Sequence, residues 1–172
     1  MGSIQQTIRA LGGIAARREL LARGHIDGWI RIAYESGSIE RVRNGWYSLP
    51  GADDAVRRAW RVGGRLACVS AARYHYGLEL PSSGEIHVSV HSQSVRLRQP
   101  GDRHQRLRET IHDDVVVHWA DARAMDELRS YQRRAVSLAG AVDQIMRCPR
   151  AVEAAATLMR NATLMPGGNG NR

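Results

Sequence analysis

No two residues constrain this chain more than Asn44-Gly45, within the stretch IERVRNGWYSL of residues 39–49. Asn-Gly is a preferred pair for a two-residue type I′ turn, because both central positions need positive φ. Such a turn fixes a hairpin and its register, so Arg43 is expected opposite Trp46, Val42 opposite Tyr47, and Arg41 opposite Ser48. Alternation then places Val42, Tyr47 and Leu49 on one face, with Arg41, Arg43, Trp46 and Ser48 on the other. The first face needs a core, and the second is expected to meet water or phosphate.

Three helical patterns precede the hairpin. Ile4, Ile8 and Leu11 recur on one helical face that ends at Gly12-Gly13. A second helix is expected over about residues 14–23, packing Ile14, Ala16, Leu20 and Leu21, with Gly24 as its stop. Asp27 can cap a third, through about residue 36, that buries Ile26, Ile30 and Ala33 before Gly37. Three short helices followed by a two-stranded hairpin are the element order of a winged helix-turn-helix, with the third helix as its recognition helix. The outward face of that helix carries Asp27, Arg31 and Tyr34, flanked by Gly28 and Glu35. Asp27 and Arg31, four residues apart, can pair along it.

Pro50-Gly51 separates this unit from helices expected at about residues 53–62 and 66–76. The periodicity then turns to alternation. EIHVSVH (85–91) reads as a half-buried strand with Ile86, Val88 and Val90 inward and Glu85, His87, Ser89 and His91 outward. VRLR (95–98) reads as its hairpin partner and VVVHW (115–119) as a more buried third strand. Ser137 can cap a helix with Leu138, Ala141, Val142, Ile145 and Met146 on one face. Pro149 suits the first turn of a last helix to about residue 164, and residues 166–172 read as a disordered tail. The expected fold class is α+β: a winged helix-turn-helix over 1–50, then a small mixed α/β domain over 51–165 with an antiparallel-type sheet and C-terminal helices.

Charge narrows the function. The net charge is +8, with a pI near 10.6, a balance that favours polyanionic partners. All 25 basic residues counted as lysine or arginine are arginine. Without lysine, a P-loop, a Schiff-base site and a lysine-dependent nuclease site are excluded. Residues 1–50 hold seven arginines against four acids, so the excess is not confined to the first unit. A second basic run, VRLRQPGDRHQRLRE, carries Arg96, Arg98, Arg103, His104, Arg106 and Arg108. It can extend a nucleic-acid surface, hold an acidic partner protein, or stand as solvated charge.

Cys68 and Cys148 lie far apart without CxxC spacing, which argues against zinc and for buried, reduced thiols. His87, Ser89 and His91 share a strand face, and His112, Asp113 and Asp114 precede the next strand. Their spacing matches no metal motif, and Ser70 lacks the glycines of a nucleophile elbow. No apolar run approaches the ~20 residues of a membrane span, and no signal-peptide pattern opens the chain. The expected location is cytoplasmic.

The segments LGGIAARRELLARG, IERVRNGWYSLPGAD, VGGRLACVSAARYHYGL and EIHVSV together resemble AbiEi-type antitoxins with an N-terminal winged helix. The likeness spans roughly residues 8–150, and its most specific part is RVRxGWYxLPG with GGRLxCVSA downstream. It implies a winged helix that binds operator DNA and represses a toxin–antitoxin operon, followed by a domain associated with antitoxin activity. Arg41, Arg43 and Asn44 match the wing motif. The recognition helix departs from the family's arginine-rich pattern, since IDGWIRI (26–32) keeps only Arg31.

The expected function is therefore a DNA-binding repressor, not an enzyme, needing no cofactor or metal. Arg17, Arg18, Arg31, Tyr34, Arg41, Arg43, Asn44 and Trp46 are the candidate DNA-binding residues, with Arg96, Arg98, Arg103, Arg106 and Arg108 as a secondary basic surface. Its partners would be double-stranded promoter DNA and a cognate toxin. The alternative is a protein-interaction module whose basic second half binds an acidic protein.

Overall fold

Ser3 opens the first helix with a reciprocal cap: its hydroxyl accepts the Gln6 N–H, and the Gln6 side chain accepts the Ser3 N–H. In the computed structural model, which describes residues 2–80, 84–107, 114–121 and 133–152, this helix is α1 (Ile4–Ala10). Gly12 and Gly13, at φ 87° and 92°, then turn the chain sharply.

A strand follows where the apolar pattern predicted a helix. Ile14–Ala16 is β1, and only Arg17–Ala22 is helical (α2). Two things delay the start of the helix: the Glu19 carboxylate accepts the Ala16 N–H at 2.7 Å, and Ile14, Ala15 and Ala16 pair antiparallel with Ser48, Tyr47 and Trp46. Three buried apolar residues are too short a run to show a period. Helix α3 is Asp27–Glu35, with Ile26 in place of Asp27 at the N-cap. Ile30 and Ala33 are buried as expected, whereas Ile26, one position outside the helix, is 60% exposed.

The hairpin forms as β2 (Glu40–Arg43) and β3 (Trp46–Ser48), in a sheet of order β1-β3-β2. Arg43 faces Trp46 as predicted, but a bulge shifts the rest, so Arg41 faces Tyr47 and Glu40 faces Ser48. The expected wet face is also corrected. Ser48 is fully buried, and the Trp46 ring lies against Trp60 with centroids 4.2 Å apart. The sheet is therefore covered on both sides. Ile8, Leu20, Ile30, Ile39 and Tyr47 form one core with α1 to α3, while Ile14 and Val42 join a second core on the far side.

That second core begins with α4 (Asp54–Val62), capped by the Asp53 side chain. Gly64 then lets β4 (Arg65–Leu66) close on its neighbour, since a Cβ there would stand 1.8 Å from the Ser89 carbonyl oxygen. Helix α5 (Cys68–His75) leads to β5 (Ile86–His91), the middle strand of a sheet of order β4-β5-β6, with β6 at Val115–Ala120. β4 runs antiparallel to β5 but β6 runs parallel, so the sheet is mixed, not antiparallel. Being central, β5 is buried on both faces, and the edge strand β6 is the more exposed; both reverse the expectation. Residues 95–98 do not pair with β5, and their one bridge joins Arg98 to Arg106.

Segment 133–136 ties the two cores together. The buried Arg133 guanidinium grips the Glu19 carboxylate with both terminal nitrogens, one contact at 2.9 Å, while its carbonyl accepts the Trp60 indole N–H at 2.7 Å. Ser137 caps α6 (Leu138–Arg147). Of the apolar face predicted there only Ala141 is buried, and Leu138, Val142 and Met146 are exposed. A 3-10 turn, Pro149–Ala151, follows; the rest of the expected last helix and the tail lie outside the described residues. No helix among the described residues is long and apolar enough to cross a membrane.

Candidate nucleic-acid interface

The arginines near α3 are matched by acids. Arg17 holds Asp27 through two contacts, its Nε donating to Oδ1 at 2.7 Å. Asp27 thus pairs across to α2, not along its own helix to Arg31 as expected. Arg31 lies instead near Glu35, at 3.9 Å. Arg18 is exposed. Tyr34 is half-buried against the first core, and the Arg41 guanidinium lies over its ring, 4.7 Å from the centroid.

The other side of the hairpin differs. Arg41, Arg43 and Asn44 line one wall of a cleft of about 450 Å³, and Arg96, Arg98, Arg103 and His104 line the other. No carboxylate is among these lining residues. The two basic stretches, separate in sequence, meet here.

Backbone carbonyls hold the opposing loop in place. Arg103 donates to the Arg41 carbonyl at 2.9 Å, which clips the loop to β2. Arg98 donates to the His104 carbonyl at 3.0 Å, and Arg61, from α4, donates to the Pro100 carbonyl at 3.0 Å. Backbone bonds between Gln99 and Gln105 and between Leu107 and Leu97 close the loop on itself. Asp102 spends a carboxylate oxygen on the His104 N–H. Arg43 reaches the Arg96 carbonyl at 3.5 Å and lies over Gly63, where a Cβ would approach its Nη1 to 2.7 Å.

These carbonyl bonds orient the guanidinium groups without cancelling their charge. Burial, then repulsion from Arg98, pushes the Arg43 guanidinium below its ordinary pKa. A set of like charges held this close is stabilised by an anion, and five-donor guanidinium groups suit phosphate oxygens.

The remaining predicted residues separate. Trp46 packs on Trp60, so its ring serves the interior. Arg106 is exposed next to the cleft, opposite Arg98. Arg108 lies outside the described residues, as do His112 and Asp113. A second cavity of about 530 Å³ runs between α3 and the hairpin, bounded by Arg17, Asp27, Gly28, Arg31, Arg41 and Asn44, so Arg41 and Asn44 border both.

A different group of residues escaped the sequence reading. His87 is buried on β5 and bonds not to Ser89 or His91 but to Glu85 and to His118, on β6. Cys68 and Cys148 are both buried and free, and both stand beside these histidines. Their sequence separation therefore gave no ground for excluding a metal. Only the parallel pairing of β5 with β6 brings His118 in, and no spacing rule encodes that. No protein-family model and no curated protein matches the chain.

Proposed function

We propose that the chain is a DNA-binding transcriptional regulator whose first unit works as a winged helix, with the β2–β3 hairpin as the wing. The observation that carries this reading is the cleft between the wing and residues 96–104, whose lining among the described residues holds no carboxylate. Its arginines supply the sequence-independent phosphate contacts that dominate affinity for duplex DNA. The order of α1, β1, α2, α3 and the hairpin supports the same reading, because it sets α3 beside the wing. With Arg17 and Arg31 both near acids, the wing and the loop facing it bear most of the electrostatic contact, and base reading falls to few groups. The likeness to AbiEi-type antitoxins agrees with a repressor of a toxin–antitoxin operon.

Fluorescence anisotropy with the chain's own upstream DNA, titrated across salt, tests this. A steep loss of affinity with salt, and preference over scrambled duplex, supports it. Equal binding to own and scrambled DNA at low salt refutes the regulator.

One observation favours a protein partner as well. Ile26, at the N-cap of α3, and Trp29 and Ile32 on the helix form an exposed row, at 60%, 57% and 51%, and an apolar row suits a protein better than a groove lined with phosphates. Co-purification of a toxin chain lost on Trp29→Ala would support that reading.

A further inference from the structure

We infer that Cys68, Cys148, His87 and His118 bind a single zinc ion in a closed tetrahedral site. Cys68 comes from the first residue of α5, His87 from β5, His118 from β6, and Cys148 from the residue after α6. One ligand atom from each lies within 4.8 Å of all the others. A zinc ion with Zn–N bonds of about 2.0–2.1 Å and Zn–S bonds of about 2.3 Å needs ligand atoms about 3.3–3.8 Å apart. Two of the separations bracket that range: His87 Nδ1 is 3.1 Å from His118 Nε2 and 4.0 Å from Cys148 Sγ. Adjustments of less than about 1 Å would close the tetrahedron.

The surroundings are those of a ligand set. His87 turns Nδ1 into the cluster while its Nε2 lies 2.9 Å from Glu85 Oε1, an outer carboxylate that fixes the tautomer and ring orientation of a ligating histidine. Glu85 is held in turn by Arg150. Cys68 has φ +48°, the only non-glycine residue with positive φ among the described residues, and its N–H is fixed by the Gln144 side chain at 2.8 Å. A β-carbon in that region marks a side chain aimed by its surroundings.

The chemistry selects the metal. Two sulfurs and two imidazoles in a tetrahedron suit zinc. Both thiols release their protons to solvent as the ion binds, and two thiolates with one divalent cation leave the buried site neutral. The ion would join α5, β5, β6 and the end of α6, the kind of staple that lets metal binding supply folding free energy. This site is separate from the arginine cleft, so its failure leaves the DNA-binding reading intact.

The full chain, purified without chelator, should carry one zinc per molecule by elemental analysis. After exchange, cobalt chloride should give the ligand-field bands of tetrahedral cobalt with a thiolate charge-transfer band. Glu85→Gln should weaken zinc binding about 10-fold, the lower end for an outer partner, and Cys148→Ala by more than about 100-fold. Wild-type protein that is folded by circular dichroism yet takes up no zinc and gives no cobalt spectrum overturns the inference. So does a Cys68–Cys148 disulfide whose reduction restores no zinc uptake, or equal uptake by a Cys68→Ser, Cys148→Ser variant.

Discussion

Replacing Arg96 and Arg98 together by alanine separates a cleft that grips DNA from a wing that acts alone. Both residues sit on the wall opposite Arg41 and Arg43, so a wing contacting DNA by itself would not feel their loss. Each phosphate contact contributes about 0.9 to the slope of log K against log salt. Two lost contacts should flatten that slope by about 1.8, which amounts to about 30-fold in affinity near 0.15 M salt and about 200-fold near 0.05 M. The loss should be the same for own and scrambled duplex, because phosphate contacts carry no sequence information. Loop collapse is not expected to mimic the effect. Arg98 gives up its bond to the His104 carbonyl, but Arg103 still clips the loop to Arg41, and the Gln99–Gln105 and Leu107–Leu97 backbone bonds remain. Anisotropy titrations at four salt concentrations, with circular dichroism as the folding control, measure the slope. A variant that is folded and keeps the wild-type slope refutes the cleft as a DNA-contacting surface.

Four further variants test the same geometry. Asp27→Asn should release Arg17 from its bidentate acid and steepen the salt slope by about one contact, as read by the same titration. Glu19→Gln should cost about 2 kcal/mol in urea unfolding near neutral pH, the value of charge-assisted bonds lost from Arg133. The same variant should blunt acid unfolding: burial raises the Glu19 pKa, but the Arg133 and Ala16 bonds outweigh it and the net shift is downward. A depressed folded pKa gives stability that is present above the ordinary carboxylate value of about 4.3 and lost as pH falls through the folded one. Gly64→Ala should lower stability by about 3 kcal/mol or more, because its Cβ would meet the Ser89 carbonyl at 1.8 Å. Gly28→Ala, with nothing within 4 Å, should raise stability by about 0.5 kcal/mol in thermal unfolding.

Local chemistry was legible where it acts alone. Ser137 caps its helix and the Asn44-Gly45 turn sets the Arg43–Trp46 pair, both as expected, whereas the cap expected of Asp27 falls to Ile26. What the sequence could not show depended on partners distant in the chain. Ile14, Ala15 and Ala16 become a strand because Tyr47 and its neighbours offer an edge to pair with. The bulge in β2 lets Val42 enter the second core while Tyr47 stays in the first, a division no two-residue alternation contains. Cys148 and His118 were invisible as neighbours of Cys68 and His87 for the same reason, since a parallel pairing and a helix end bring them together.

The hairpin therefore acts as the middle layer between two cores, and that position limits what it can present to any partner. Tyr47 and Ser48 are buried and Trp46 rests on Trp60, which leaves the turn, the two arginines of β2 and Glu40, paired with Arg57, on the outer side. Arg43 cannot move independently of the second core, since it lies over Gly63 at the end of α4, while the Arg41 guanidinium rests on Tyr34 of the first core and only its backbone carbonyl is clipped by Arg103. A wing on a flexible tip contacts phosphate at the entropic cost of ordering long side chains. Here Tyr34 places the Arg41 guanidinium and the second unit places Arg43, and the second unit's Arg96 and Arg98 face the same cleft. On the proposed DNA-binding function, stability of the second core and affinity for a polyanion are coupled, and variants that loosen α4 or β4 should weaken binding without touching an arginine.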